Sequence, residues 1–181
     1  MVSSNKIFLQ PYQLNLIQGL HPVIEKLFAE LKIPPLRQVQ KSAMDRSMVE
    51  RLLEIHPLIL TELNNGLRCT GNFRLFQIAR RSLPQDALIP CLLESTIRED
   101  LLQQRAIAEL LYYPAYAGAH SSDVPSLFEV YLRAIEQGKV QEPSEPPFAY
   151  FSKLYGIDRR RLDKIQLVAN TPEDTDTPEF F

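Results

Sequence analysis

The stretch "PLILTELNNGLRCTGNFRLFQIARRSLPQDALIPCLLE", residues 57–94, constrains the fold more than any other part of the chain. Residues 58–63 are aliphatic enough for a buried strand, and Asn65-Gly66 behind them is a strong hairpin signal. "LRCT" then reads as the returning strand. Gly71 and Asn72 break it, after which Leu75, Phe76, Ile78 and Ala79 recur at helical spacing while Arg74, Gln77 and Arg81 share the other face. "ALIPCLLE" is one more strand. Strand, tight turn, strand, helix, strand is an α+β unit with a small mixed sheet and a helix crossing between strands.

Helices flank this unit. "HPVIEKLFAELKIPP" places Val23, Leu27, Phe28 and Leu31 on one face and meets Pro34 and Pro35. "MDRSMVERLLEIHP" does the same with Met48, Val49, Leu52, Leu53 and Ile55, between a candidate cap at Asp45 and a stop at Pro57. "KIFLQPYQLNL" can supply an edge strand whose pairing Pro11 limits. Beyond the sheet, "TIREDLLQQRAIAELLYYP" and "SSDVPSLFEVYLRAIEQGK" are helical, the second with Asp123 as cap and Gly138 at its end. The expected organisation is an α+β domain over 1–113, a helical extension over 114–168, and a tail over 169–181.

The 181 residues are enough for one ordinary core without a metal or disulfide staple. The two cysteines, Cys69 and Cys91, fall on strands and read as small core hydrophobes. With no apolar run of membrane-spanning length and no secretory leader pattern, the expected setting is the reducing cytoplasm. The net charge of −2 is uneven, because Glu173, Asp174, Asp176 and Glu179 all lie beyond the last basic residue, Lys164. The tail "NTPEDTDTPEFF" mixes Pro, Thr and acids without periodicity, as a solubilising or peptide-like arm does.

The corner at Gly71 is the first place where chemistry enters. Amides at the start of a helix lack intrahelical acceptors and carry partial positive charge, so a glycine corner opening a helix can hold an anion. Gly71, Asn72 and Phe73 would supply main-chain contact, Arg74 a bidentate grip on phosphate oxygens, and Arg68 a second cation from the incoming strand. The plain alternative is a glycine that only turns the chain. Phosphate binding requires amides near position 72 that the protein does not cap itself, and an Arg74 guanidinium not drawn into a salt bridge elsewhere.

The order of these elements resembles the core of the ParB and sulfiredoxin superfamily over residues 33–112. His56-Pro57-Leu58-Ile59 resembles its strand entrance, Asn65-Gly66 its hairpin, Gly71-Asn72-Phe73-Arg74 its G-x-x-R signature and Ile89-Pro90 its last strand. Asn72 and Phe73 stand where ParB-like proteins carry Glu-Arg and sulfiredoxins Cys-His, so a reductase is expected only if Cys69 substitutes for the nucleophile. The usual ParB glutamate is absent as well. "RAIAEL" resembles the ParB segment ending in Glu-Asn, with Glu109 in the glutamate place and Leu110 in that of the asparagine. The resemblance implies ATP or another nucleoside triphosphate with Mg²⁺, held by Glu109, and hydrolysis served by Arg74 and Glu109 with Glu62 a reserve carboxylate. The alternative for Glu109 is a helix salt bridge with Arg105, four residues earlier.

Near the end, "FAYFSKLYGIDRRRLDKIQL" resembles a helix-turn-helix, with Gly156 in the turn and Arg159, Arg160, Arg161 and Lys164 on a second helix capped by Asp158. These four are the candidate DNA contacts, and a solvated αα-hairpin is the alternative. His21, His56 and His120 show no metal spacing, and His21 and His56 each precede a proline at an element boundary, as structural residues do. Length, lone core and basic segment resemble the plasmid fertility-inhibition proteins of the oncogenic-suppression type. That implies ATPase and DNase activity and a block on conjugative DNA transfer through a type IV secretion system. The competing expectation is a non-enzymatic regulator that binds DNA or a partner.

Overall fold

The structure, a computed structural model, describes residues 8–33, 45–64, 66–95, 97–112 and 124–157. The chain divides into two compact units, Met1–Tyr113 and Pro114–Phe181.

The first unit is α+β. Its five strands are β1 (Phe8–Gln13), β2 (Ile17–Leu20), β3 (Leu58–Leu63), β4 (Gly66–Gly71) and β5 (Leu88–Glu94). They form one mixed sheet in the order β1-β5-β3-β4-β2. β1 with β5 and β3 with β4 are antiparallel, while β3 with β5 and β2 with β4 are parallel. The helices are α1 (Pro22–Glu30), α2 (Arg46–Ile55), α3 (Phe73–Ser82) and α4 (Glu99–Ile107). α1 packs with α4 and α2 with α3, and α3 leans on β3 and β4.

Local chemistry explains these bounds. Pro11 faces Pro90 across β1 and β5. Neither has an N–H to exchange, so the two can meet only as a pair that makes no ladder hydrogen bonds. β3 begins opposite Cys91, one residue past Pro90, so no donor is missed on that side. The hairpin closes at Leu63 opposite Gly66, which is the first residue of β4. Asn64 takes the left-handed conformation that the turn needs (φ 50°). The turn therefore sits one residue earlier than the Asn-Gly signal suggests. Asp45 does occupy the cap position of α2, but its side chain makes no capping bond and accepts from Ser47 Oγ instead (3.0 Å).

The core gathers Leu58 and Leu60 from β3, Cys69 from β4, Ile89 and Cys91 from β5, and one stripe from each helix, including Ile24, Val49, Leu53, Phe76, Ala79, Leu102 and Ala106. Of the apolar face expected on α2, Met48 and Ile55 are in fact exposed. The second unit contains α5 (Val124–Glu136) and α6 (Pro147–Tyr155). Phe128 and Tyr131 of α5 meet Phe151 of α6 with ring centroids 5.0 and 5.5 Å apart, and α6 ends at Gly156 in the left-handed conformation (φ 62°).

Candidate functional site at the head of α3

β4 ends at Gly71, and a bulge in the β3–β4 ladder sets Gly71 opposite Ile59. A Cβ on Gly71 would lie 2.8 Å from Ile59 Cδ1 and 3.2 Å from its Cβ, so a larger residue here would have to push the Ile59 side chain aside. The left-handed residue at the corner is Asn72 (φ 59°, ψ 43°), a residue type that tolerates this conformation because its short amide can bond locally. Its Nδ2 donates to Pro57 O at 2.7 Å. That bond ties the corner to the residue before β3, and it leaves the amides of α3 without a local side-chain cap.

The cap comes from 37 residues downstream. The Asn72 amide donates to Glu109 Oε2 at 2.7 Å, the Phe73 amide donates to Glu109 Oε1, and the Arg74 amide comes near enough to favour the ionised carboxylate. A left-handed residue followed by helical ones aims successive amides at one point, an arrangement that binds anions. Here the anion is the protein's own. Glu109 reaches it because α4 widens after Ile107 into a π turn over Ala108–Tyr112, a rare geometry that recurs at functional positions.

Charge-assisted bonds from amides contribute about 1.5–3 kcal/mol each, whereas taking a carboxylate out of water costs several. Burial pushes the Glu109 carboxyl above its ordinary value, and the amides of Asn72, Phe73 and Arg74 with the Arg74 guanidinium only partly offset this. Arg74 itself is half-buried in the first turn of α3. Its Nε is buried and makes no hydrogen bond.

The i,i+4 bridge between Arg105 and Glu109 does not form. Arg105 instead grips Glu94 of β5 through Nη1 at 2.8 Å and Nη2 at 3.0 Å, and Nη1 also lies 3.5 Å from Thr70 O of β4. This fastens α4 to the sheet one turn before Glu109. Arg68 stands three residues up β4 from Gly71 and keeps other company. A Cβ on Gly19 would lie 3.5 Å from Arg68 Nη1 and 3.4 Å from Glu25 Oε1, and His21 feels the charges of Arg68, Glu25 and Glu99. Arg68 Nε is also buried without a hydrogen bond. Glu62 pairs with Leu67 near the hairpin end, is exposed, and lies roughly 10 Å along β3 from Ile59 at the usual strand rise. The structure therefore brings together Asn72, Phe73, Arg74 and Glu109, holds Gly71 beside them as a packing residue, and leaves Arg68 and Glu62 apart.

The cysteines are fully buried. Cys69 Sγ donates to Gly71 O at 3.1 Å, and burial pushes its thiol far above the ordinary range and that of Cys91 up to about 12. His21 Nδ1 accepts from the Val23 amide at 3.3 Å as the cap of α1, a structural task. Arg159, Arg160, Arg161 and Lys164, with the second helix of the expected helix-turn-helix, lie outside the described residues, as do Asp123, His120 and the acidic tail. Among the described residues no three or more His, Cys, Asp or Glu side chains come together to hold a metal ion, and no helix is long and apolar enough to cross a membrane. Both Glu109 oxygens accept from amides.

No model of a known protein family matches the chain, and no curated protein does.

Proposed function

We propose that the head of α3 is an anion receptor for the phosphates of a nucleoside triphosphate, and that the protein is a nucleotide-dependent, DNA-acting member of the ParB and sulfiredoxin class. The observation that carries this is the convergence of the Asn72 and Phe73 amides on a single anionic group next to Arg74, whose Nε makes no hydrogen bond; the protein caps these amides itself with Glu109, against the condition the sequence set, so phosphate binding here requires that carboxylate to leave. A carboxylate offers two oxygens and satisfies the amides. A phosphate brings a third, within the chemistry of a guanidinium left unsatisfied. Mg²⁺ would accompany the triphosphate, since it commonly binds one carboxylate together with phosphate oxygens, and Glu109 is the carboxylate in place. Arg74 then serves to bind and neutralise phosphate charge. DNA contact through Arg159, Arg160, Arg161 and Lys164, and the role of a fertility inhibitor acting on a type IV secretion system, belong to the same proposal and rest on the sequence resemblance.

The amides near position 72 are capped by the protein, which favours a second reading: Glu109 as a permanent brace in a non-enzymatic DNA- or partner-binding regulator. Calorimetric titration with Mg²⁺–ATP and Mg²⁺–CTP, with phosphate release followed in parallel, separates the two. The first reading expects binding and turnover that Arg74→Ala removes without unfolding the protein. Absence of nucleotide binding, together with DNA affinity that falls steeply with salt and with Arg160→Ala, establishes the second.

A further inference from the structure

We infer that Glu109 is a displaceable internal anion that closes the head of α3 until a phosphate group takes its place, an inference resting on the anion-receptor reading above. The cap originates outside α3. Helices are ordinarily capped by the side chain at the cap position, and Asn72 is well suited to that task. Its amide group instead bonds Pro57 O, and the amides of α3 are served by a carboxylate on another element. A cap delivered from a separate helix can leave without unwinding the helix it caps.

The element that delivers it is irregular. Glu109 rides on the π turn Ala108–Tyr112, at the end of a helix whose preceding turn is pinned by Arg105 to Glu94. Recovery of α geometry beyond Arg105 would rotate Glu109 relative to the pinned part and carry the carboxylate off the amides. Its departure restores its hydration, while an incoming phosphate replaces the bonds the amides lose. Arg74 is close enough for its charge to act on Glu109, and it stays at the site to meet the phosphate.

Exchange of this kind makes the apparent affinity the intrinsic one reduced by the fraction of molecules in which Glu109 is away. The test is calorimetric titration of the full chain with the non-hydrolysable β,γ-imido analogue of ATP in EDTA, which keeps any Mg²⁺ ligation by Glu109 out of the readout, using wild type, Glu109→Gln, Glu109→Asp and Arg74→Ala. Gln weakens the internal competitor by removing its charge, and Asp keeps the charge but falls one methylene short. Both should bind the analogue about tenfold tighter or more than wild type, by the population argument. Equal or weaker binding by a folded Glu109 variant, with wild type still binding and Arg74→Ala not, overturns the gate and leaves the phosphate site standing. Failure of all four proteins to bind removes the phosphate site and the gate with it. Thermal melts report whether each variant is folded; should Glu109→Gln fail to fold, Glu109→Asp decides.

Discussion

Glu109 Oε2 accepts from the Asn72 amide at 2.7 Å across 37 residues of sequence, and so joins the end of α4 to the start of α3. Every statement about function at this corner turns on whether that bond is a brace or a closed door. Several of its physical properties can be measured without knowing the ligand.

Burial holds the Glu109 carboxyl above its ordinary value, so the folded protein binds more protons than the unfolded chain between that ordinary value and the raised one. The contribution of Glu109 to stability is thus greatest below the unfolded value and declines as pH rises through the folded one. Denaturant melts across this window should show that decline in wild type and lose it in Glu109→Gln. The Arg74 guanidinium is the charge that acts on this carboxylate.

Glu109→Ala leaves the Asn72 and Phe73 amides without their acceptor, and should cost about 1–3 kcal/mol in urea unfolding, the range for an unsatisfied buried donor. Hydrogen exchange at these two amides should accelerate by more than the global loss of stability explains.

Gly71→Ala sets a methyl 2.8 Å from Ile59 Cδ1 and should destabilise by about 1–3 kcal/mol, as overpacking does. Ile59→Val removes the Cδ1 atom and should restore part of that loss in the double variant, while the 3.2 Å approach to Ile59 Cβ keeps the rescue incomplete. Full stability in Gly71→Ala alone would refute the packing account.

Asn72→Gly should lose only the bond to Pro57 O, because glycine accepts the left-handed backbone freely. Asn72→Ala loses that bond and adds about 1–2 kcal/mol of backbone cost. Equal melting temperatures for the two would show that the corner relaxes out of the left-handed region.

Both thiols are buried and raised well above the ordinary range, so neither should react with an aromatic disulfide in the native protein at neutral pH. Denaturant should expose two. Rapid native labelling of Cys69 would reopen the reductase reading.

β1, β3, β4 and β5 were legible because they carry their signals locally, as in the aliphatic run at 58–63 and the helical spacing behind Gly71, whereas the four-residue β2 was not read. The hairpin slipped by one place because Asn64 supplies the positive φ and frees Gly66 to begin β4, where its missing side chain makes room for Gln18. The corner was read as a place for a phosphate at uncapped amides, whereas the protein's own Glu109 carboxylate caps them, which could not be foreseen. Glu109 has Arg105 at ideal helical spacing, but Arg105 is taken by Glu94, 11 residues back, and the π turn that begins at Ala108 presents Glu109 to α3. Gly71 looked like a residue that yields to a ligand because spacing along one strand does not reveal a side chain arriving from the next. Asn72 could have been picked out as the left-handed residue, since asparagine after a glycine at a strand end has few other uses.

The proline pair at the rim of the sheet has a bearing on solubility. With Pro11 opposite Pro90 in an unbonded pair, the position where β1 would offer its central N–H to the outside carries a ring instead. A second strand trying to extend the ladder there would find a gap midway along β1, flanked by the exposed Phe8 and Leu9 that would otherwise make this margin adhesive. The imino acid thus works as a guard against polymerisation through the sheet's own border.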